Sequence, residues 1–130
     1  MARIYPDRAE MDRLSGAVIG CAMTVLNTLK TGFLEKVYEN ALAQEVRSVG
    51  LEVAQQQAID VRYNGNVVGA YFADLLVENV LVVELKVAQA LDNAHRAQCL
   101  NYLRATGLRL GLLLNFGTPS LGYRRVVNDL

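Results

Sequence analysis

The sequence predicts an α/β domain, and three features predict it. Apolar residues recur at three- and four-residue spacing at Leu14, Ala17, Val18, Cys21, Ala22, Val25 and Leu29, which is the pattern of an amphipathic helix. From Leu51 the pattern changes to β-type runs punctuated by Asn64-Gly65 and by Glu78-Asn79, both strong turn signals. A second helical stretch, about Asn93 to Thr106, then precedes the continuous apolar run Leu108 to Phe116, which reads as a buried strand.

Composition limits the possibilities before any motif does. A chain of 130 residues, 52% apolar and 20% charged, is expected to form a single domain over 1–130 with a sizeable core. No apolar run is long enough to span a membrane, and MARIYPDRAEMDR lacks the apolar centre of a signal peptide, so a cytoplasmic protein is expected. Cys21 and Cys99 form no CxxC pair and each sits in an apolar helical pattern, so both read as buried free thiols. A lone histidine, His95, offers no second histidine for a zinc site, and near a helix start it reads as a capping or solvent-facing group.

Net charge is zero, but it is unevenly spread. Residues 1–85 carry 7 basic and 11 acidic side chains, a balance of −4; residues 86–125 carry Lys86, Arg96, Arg104, Arg109, Arg124 and Arg125 against Asp92 alone, a balance of +5. Such a split is compatible with a basic face beside an acidic pocket, as a phosphodiester substrate requires, and equally with solvated charge on opposite faces.

In chain order, a polar lead is followed by a helix over Met11 to Lys30, ended by Gly32. A second helix is expected from near Leu34 to about Ser48, with Leu34, Val37, Tyr38, Ala41, Leu42 and Val46 as its buried stripe and Gly50 as its stop. Glu35 and Tyr38 are neighbours on one side of it; taken alone, the acid complements the helix dipole and the tyrosine packs in the core. Leu51 to Gln57 leads into Ala58 to Tyr63, which forms a hairpin about Asn64-Gly65 with Asn66 to Val77, and Leu81 to Val87 returns as a third antiparallel strand. The later helix is capped by Asp92 or Asn93 and closed by Gly107. The tail adds a short edge strand at Tyr123 to Val127.

Tyr71 to Val87, YFADLLVENVLVVELKV, organises the rest. Glu84 and Lys86 project from one face of a strand while Val83, Leu85 and Val87 take the other. If the loop is the three residues Glu78 to Val80, Val77 faces Leu81 and Asp74 falls opposite Glu84; a two-residue loop pairs Asp74 with Val83 instead. Opposed Cβ atoms lie roughly 5 Å apart, close enough for two carboxylates to share one divalent cation through hard oxygen ligands. The plainer alternative is an ordinary Glu84–Lys86 salt bridge at a strand end. On the later helix Gln98 and Tyr102, four apart, share a face with His95.

The ordered set Gly32-Phe-Leu-Glu35-Lys-Val-Tyr38, Asp74, Glu84-Leu-Lys86 and Gln98-x-x-x-Tyr102 resembles the PD-(D/E)XK nuclease superfamily and, within it, the group named for its GxxExxY motif. The resemblance runs from the first helix to Arg124–Asn128. It implies an αβββαβ core with a mixed four-stranded sheet flanked by helices, preceded here by an extra N-terminal helix. It also implies a nuclease in which Asp74 and Glu84 ligate Mg²⁺ (or Mn²⁺), Glu35 adds a helix-borne carboxylate, and Lys86 orients the water or stabilises the pentavalent phosphate. Gln98 and Tyr102 match the Q-x-x-x-Y of RecB-like nucleases. Ala73 stands where the superfamily motif has proline, and Leu26 or Asn27 where the group often has histidine. The implied partner is nucleic acid, DNA ahead of RNA, with a homodimer as one route to sequence-specific cutting. A non-catalytic nucleic-acid-binding or protein-interaction domain of the same fold is the alternative function.

Overall fold

A computed structural model describes residues 7–128; the polar lead at 1–6 lies outside the described residues. Two helices, α1 (Arg8–Leu29) and α2 (Glu35–Ser48), precede three strands, β1 (Val53–Tyr63), β2 (Asn66–Val77) and β3 (Leu81–Lys86). Helix α3 (Asn93–Thr106) and strands β4 (Leu110–Asn115) and β5 (Gly122–Val127) complete the chain. The strands form one sheet in the order β1-β2-β3-β4-β5. All neighbours are antiparallel except β3 and β4, which are parallel. The sheet is therefore mixed, as expected, but has five strands rather than four: the tail segment is a full edge strand paired with β4 from Leu110↔Val127 to Asn115↔Gly122.

Each helix boundary has a local cause. Asp7 caps α1 by accepting from Glu10 N at 2.8 Å, and Asp92 caps α3 by accepting from His95 N at 2.9 Å while Asp92 N donates to His95 Nδ1 at 3.3 Å. His95 is thus half of a capping box. Between α1 and α2, Gly32 has φ 114°, a backbone region closed to most side chains. The Tyr38 hydroxyl secures this turn, donating to Lys30 O at 2.6 Å and accepting from Phe33 N at 3.2 Å. Its ring, fully buried, stacks on Phe116 at 4.9 Å. The tyrosine of the GxxExxY pattern is accordingly a packing residue whose hydroxyl fixes the segment carrying Glu35.

The sheet separates two cores. On one face Leu75, Val77, Leu81, Val83, Leu85, Leu112 and Leu114 pack against α1 and α2. On the other, Ile59, Ala73, Val82, Leu113 and Val126 pack against Cys99, Tyr102 and Leu103 of α3. Side chains alternate strictly along a strand, yet Ala73 and Leu75 belong to different faces. The alternation slips at Asp74, which marks a break in the pleat.

Candidate active site

The hairpin between β2 and β3 has the three-residue loop Glu78 to Val80. Val77 pairs with Leu81, Leu76 with Val82 and Leu75 with Val83, while Glu78 and Asn79 both adopt positive φ, 54° and 55°. The ladder ends at Leu75↔Val83, one step before Asp74 and Glu84. Beyond it the strands diverge, and the Leu85 N–H is satisfied by Asp74 Oδ2 at 2.9 Å. A side chain has replaced a strand as hydrogen-bond partner.

Across β1 the same point is distorted. Gln56 is missing from the β1–β2 ladder between Gln55↔Leu75 and Gln57↔Ala73, and it has φ 51°, a left-handed conformation that costs a residue with Cβ roughly 1–2 kcal/mol. Its amide donates both to Glu39 Oε1 of α2, at 2.7 Å, and to Asp74 Oδ1, at 3.3 Å. Glu39 is buried to 3% exposure and also accepts from Gln55 Nε2 and Lys36 Nζ, each at 2.7 Å. A buried carboxylate with several donors is well compensated. Glu39 and Gln56 were not singled out from the sequence; Glu39 one turn after Glu35, and three consecutive glutamines at 55–57 in a strand, were the available signals.

Glu84 is much less well compensated. It lies on the central strand β3, 4% exposed, and its Oε1 is buried with no hydrogen-bond partner. Burial, and then the charge of Asp74, push its carboxyl up to about 9, so near neutral pH it is held in the protonated form. The charge of Lys86 offsets this only in part. The ammonium instead donates to Gln98 Oε1 at 3.3 Å, and no Glu84–Lys86 ion pair forms, against the plain salt-bridge reading. The strand end bearing Lys86 is held from behind by the buried Asn115, which accepts from Ala88 N at 3.0 Å and Gly117 N at 2.9 Å and donates to Ala88 O at 3.0 Å.

The remaining sequence-predicted residues lie around this centre. Glu35 is exposed in the first turn of α2; partial desolvation and then the charge of Asp74 raise its carboxyl above the ordinary range. Tyr102 is 7% exposed within the α3-side core alongside Leu103, with its ring 5.6 Å from that of Tyr71. Burial, then Glu84 and Asp74, push its hydroxyl up to about 12, so it remains protonated. Asp74, Glu84, Lys86, Gln98 and Tyr102 are thus gathered at one end of the β2–β3 hairpin. Glu35 stands at the edge of the group: among the described residues, no three histidine, cysteine, aspartate or glutamate side chains are arranged to hold a metal by themselves.

A domain with this sheet, and with an acid and an E-x-K segment at a diverging strand pair, has the architecture of a nuclease fold. The model of the PD-(D/E)XK nuclease superfamily matches residues 12–126, and the chain belongs to that superfamily. No curated protein matches it. Among solved structures, the crystal structure of SSO0001 is 15% identical, with a TM-score of 0.49 over 93% of this chain and 63% of that one; the chain therefore spans less than two thirds of that protein's length. Among the described residues no helix is long and apolar enough to cross a membrane.

Proposed function

We propose that this chain is a metal-dependent nuclease of the GxxExxY group that hydrolyses phosphodiester bonds, with DNA as the first substrate to test. The observation that carries the proposal is the Glu84 carboxyl, buried beside Asp74 with an unpartnered oxygen. Two adjacent carboxylates supply hard oxygen donors, and Mg²⁺, which keeps several waters, needs few protein ligands. Asp74 and Glu84 would hold Mg²⁺, with Mn²⁺ as a substitute and Glu35 as an outer carboxylate. When bound, the ion would polarise a phosphoryl oxygen and lower the pKa of a coordinated water.

The protein's own groups have distinct tasks. Asp74 is held by Leu85 N and Gln56, which limits its rotamers and presets its orientation. Glu84 must give up a proton on binding a cation, so affinity is expected to rise with pH. Lys86, steadied by Gln98, places a positive charge where negative charge grows on the phosphate in the transition state. Tyr102, protonated and beside the two acids, can donate a hydrogen bond but cannot serve as a base near neutral pH.

Calorimetric titration of Mg²⁺ and Mn²⁺ into the wild type and Glu84→Gln, paired with a cleavage assay on single- and double-stranded DNA and RNA, tests the proposal. Wild-type binding and cleavage, both lost in Glu84→Gln, are expected. A wild-type protein that binds neither ion in the presence of nucleic acid would remove the mechanism at its first step.

A further inference from the structure

Alongside the candidate active site runs a groove of about 890 Å³ between α3 and the β1–β2 arm, lined among others by Asp60, Arg62, Tyr71, Gln98, Tyr102 and Arg104. Its volume falls in the range of small-molecule sites, roughly 300–1,000 Å³. Gln98 and Tyr102 belong to both the groove and the acid-lysine group, so the two are continuous.

The lining has a definite chemical character. Tyr71 is 49% exposed, unusual for an aromatic residue in mid-strand, and the pleat break at Asp74 is what turns it toward α3. Its ring is backed by Tyr102 at 5.6 Å and 52°, which orders one side and leaves the other open. The guanidiniums of Arg62 and Arg104 are exposed and only loosely tethered. Arg62 reaches Asp60 Oδ2 at 3.9 Å and Gly65 O at 3.4 Å, and Arg104 reaches Asn101 Oδ1 at 3.5 Å. Two cations against one acid favour an anionic ligand, and a fixed, half-open aromatic face favours a planar one. Gln98 adds an amide that can meet the edge of a base.

We propose that this groove holds an unpaired nucleotide next to the scissile phosphate, with its base stacked on Tyr71 and its phosphates met by Arg62 and Arg104, so that the substrate is single-stranded at the site. The proposal rests on the nuclease reading above. Stacking on Tyr71 requires a base released from the helical stack, because in a duplex both faces of an internal base are covered by its neighbours. Arg62 and Arg104 track the backbone without reading sequence.

The test is fluorescence anisotropy with a short labelled oligodeoxythymidylate and a duplex of mixed sequence, in EDTA so that nothing is cut. The single strand is expected to bind at least about tenfold more tightly than the duplex. Tyr71→Ala should weaken single-strand binding by about tenfold or more, Tyr71→Phe should leave it near wild type, and Arg104→Ala should weaken it while lowering the salt slope by about one. Circular dichroism of each variant guards against unfolding, and Arg104, exposed on its helix, carries the test if Tyr71→Ala misfolds. Single-strand binding indifferent to both substitutions, or tighter duplex binding, would overturn the proposal. Cleavage with Mg²⁺ separates the two readings. Tyr71-dependent binding without cleavage leaves the groove standing and removes the nuclease, whereas cleavage indifferent to Tyr71 does the reverse.

Discussion

The two halves of the β2–β3 hairpin are built from similar strand residues and have opposite character. From Leu75 to Val77 and Leu81 to Val83 the strands pair in register, and these side chains, Leu76 partly and the rest fully, are buried in two apolar cores. One residue further on, at Asp74 and Glu84, pairing stops, the pleat slips, a glutamine drops out of the neighbouring ladder and a carboxyl oxygen is left without a partner. The first half is what a sheet does when every backbone group and every face is satisfied. The second is what it does when strands separate to admit something else. Even the concavities differ: the hollow at the hairpin turn is lined by residues such as Val53, Leu76 and Glu78 and holds none of the proposed site residues.

The difference can be sharpened by substitutions in each half. The largest effect on folding is expected in the paired half. Leu75 is fully buried, and Leu75→Ala should destabilise by about 3–4 kcal/mol through lost transfer energy and a cavity. Urea unfolding with an unchanged slope would measure it, and a loss below about 1 kcal/mol would mean that this half is not the rigid one.

Next in size is a pH effect in the diverging half. The folded-state pKa of Glu84, about 9, lies above the value of 4.5 for a free carboxyl. The folded protein therefore holds a proton that the unfolded chain has released. Stability from this group is fully present below about pH 4.5 and is lost progressively as pH rises toward 9. Without metal, the stability of wild type relative to Glu84→Gln should fall by about 3 kcal/mol between about pH 6 and pH 8. A flat difference across that window would show that Glu84 is already charged and compensated.

The smallest effect belongs to the turn. Asn79 has φ 55°, and asparagine tolerates this conformation better than most residues. Asn79→Ala should cost about 1 kcal/mol with metal binding unchanged, seen as a lower melting temperature and an unaltered titration curve. A change in metal affinity would tie the two halves together more closely than their geometry implies.

Much of this contrast was legible in the sequence. Counting back from a three-residue loop sets Asp74 opposite Glu84; the observed ladder runs from Val77↔Leu81 to Leu75↔Val83 and stops one step short of that pair, where the strands diverge. Helix periodicity placed α1, α2 and α3 to within a few residues. The β1 strand begins at Val53 and carries an irregularity at Gln56, and β4 is shorter than the apolar run that signalled it, since Leu108 and Phe116 are buried outside the ladder.

What could not be read depended on contacts between distant segments. Glu39 looks like any solvated helical acid until Gln55 and Gln56 are folded against it. A left-handed glutamine in a strand has no local signature, because Gln56 adopts it to meet Glu39 and Asp74. Tyr71 follows the same rule: strict alternation puts it on the face of Leu75, and only the slip at Asp74 brings it to α3. The fifth strand was anticipated as a short edge, and its attachment through Arg125 Nε to Ser15 Oγ of α1, at 2.8 Å, joins residues far apart in the chain.

The central claim is that Glu84 is a buried carboxyl with one unpartnered oxygen beside Asp74, held ready for a cation, and not half of a salt bridge. Thermal melts of wild type and Glu84→Gln at about pH 8, each without metal and with Mg²⁺, test it most directly. Glutamine matches the shape of the protonated acid and cannot ionise, so the metal-free variant should melt at or above the wild-type temperature, and only the wild type should gain stability when Mg²⁺ is added. A metal-free variant that melts clearly lower, by the several degrees expected for about 3 kcal/mol lost on breaking a buried ion pair, would contradict it.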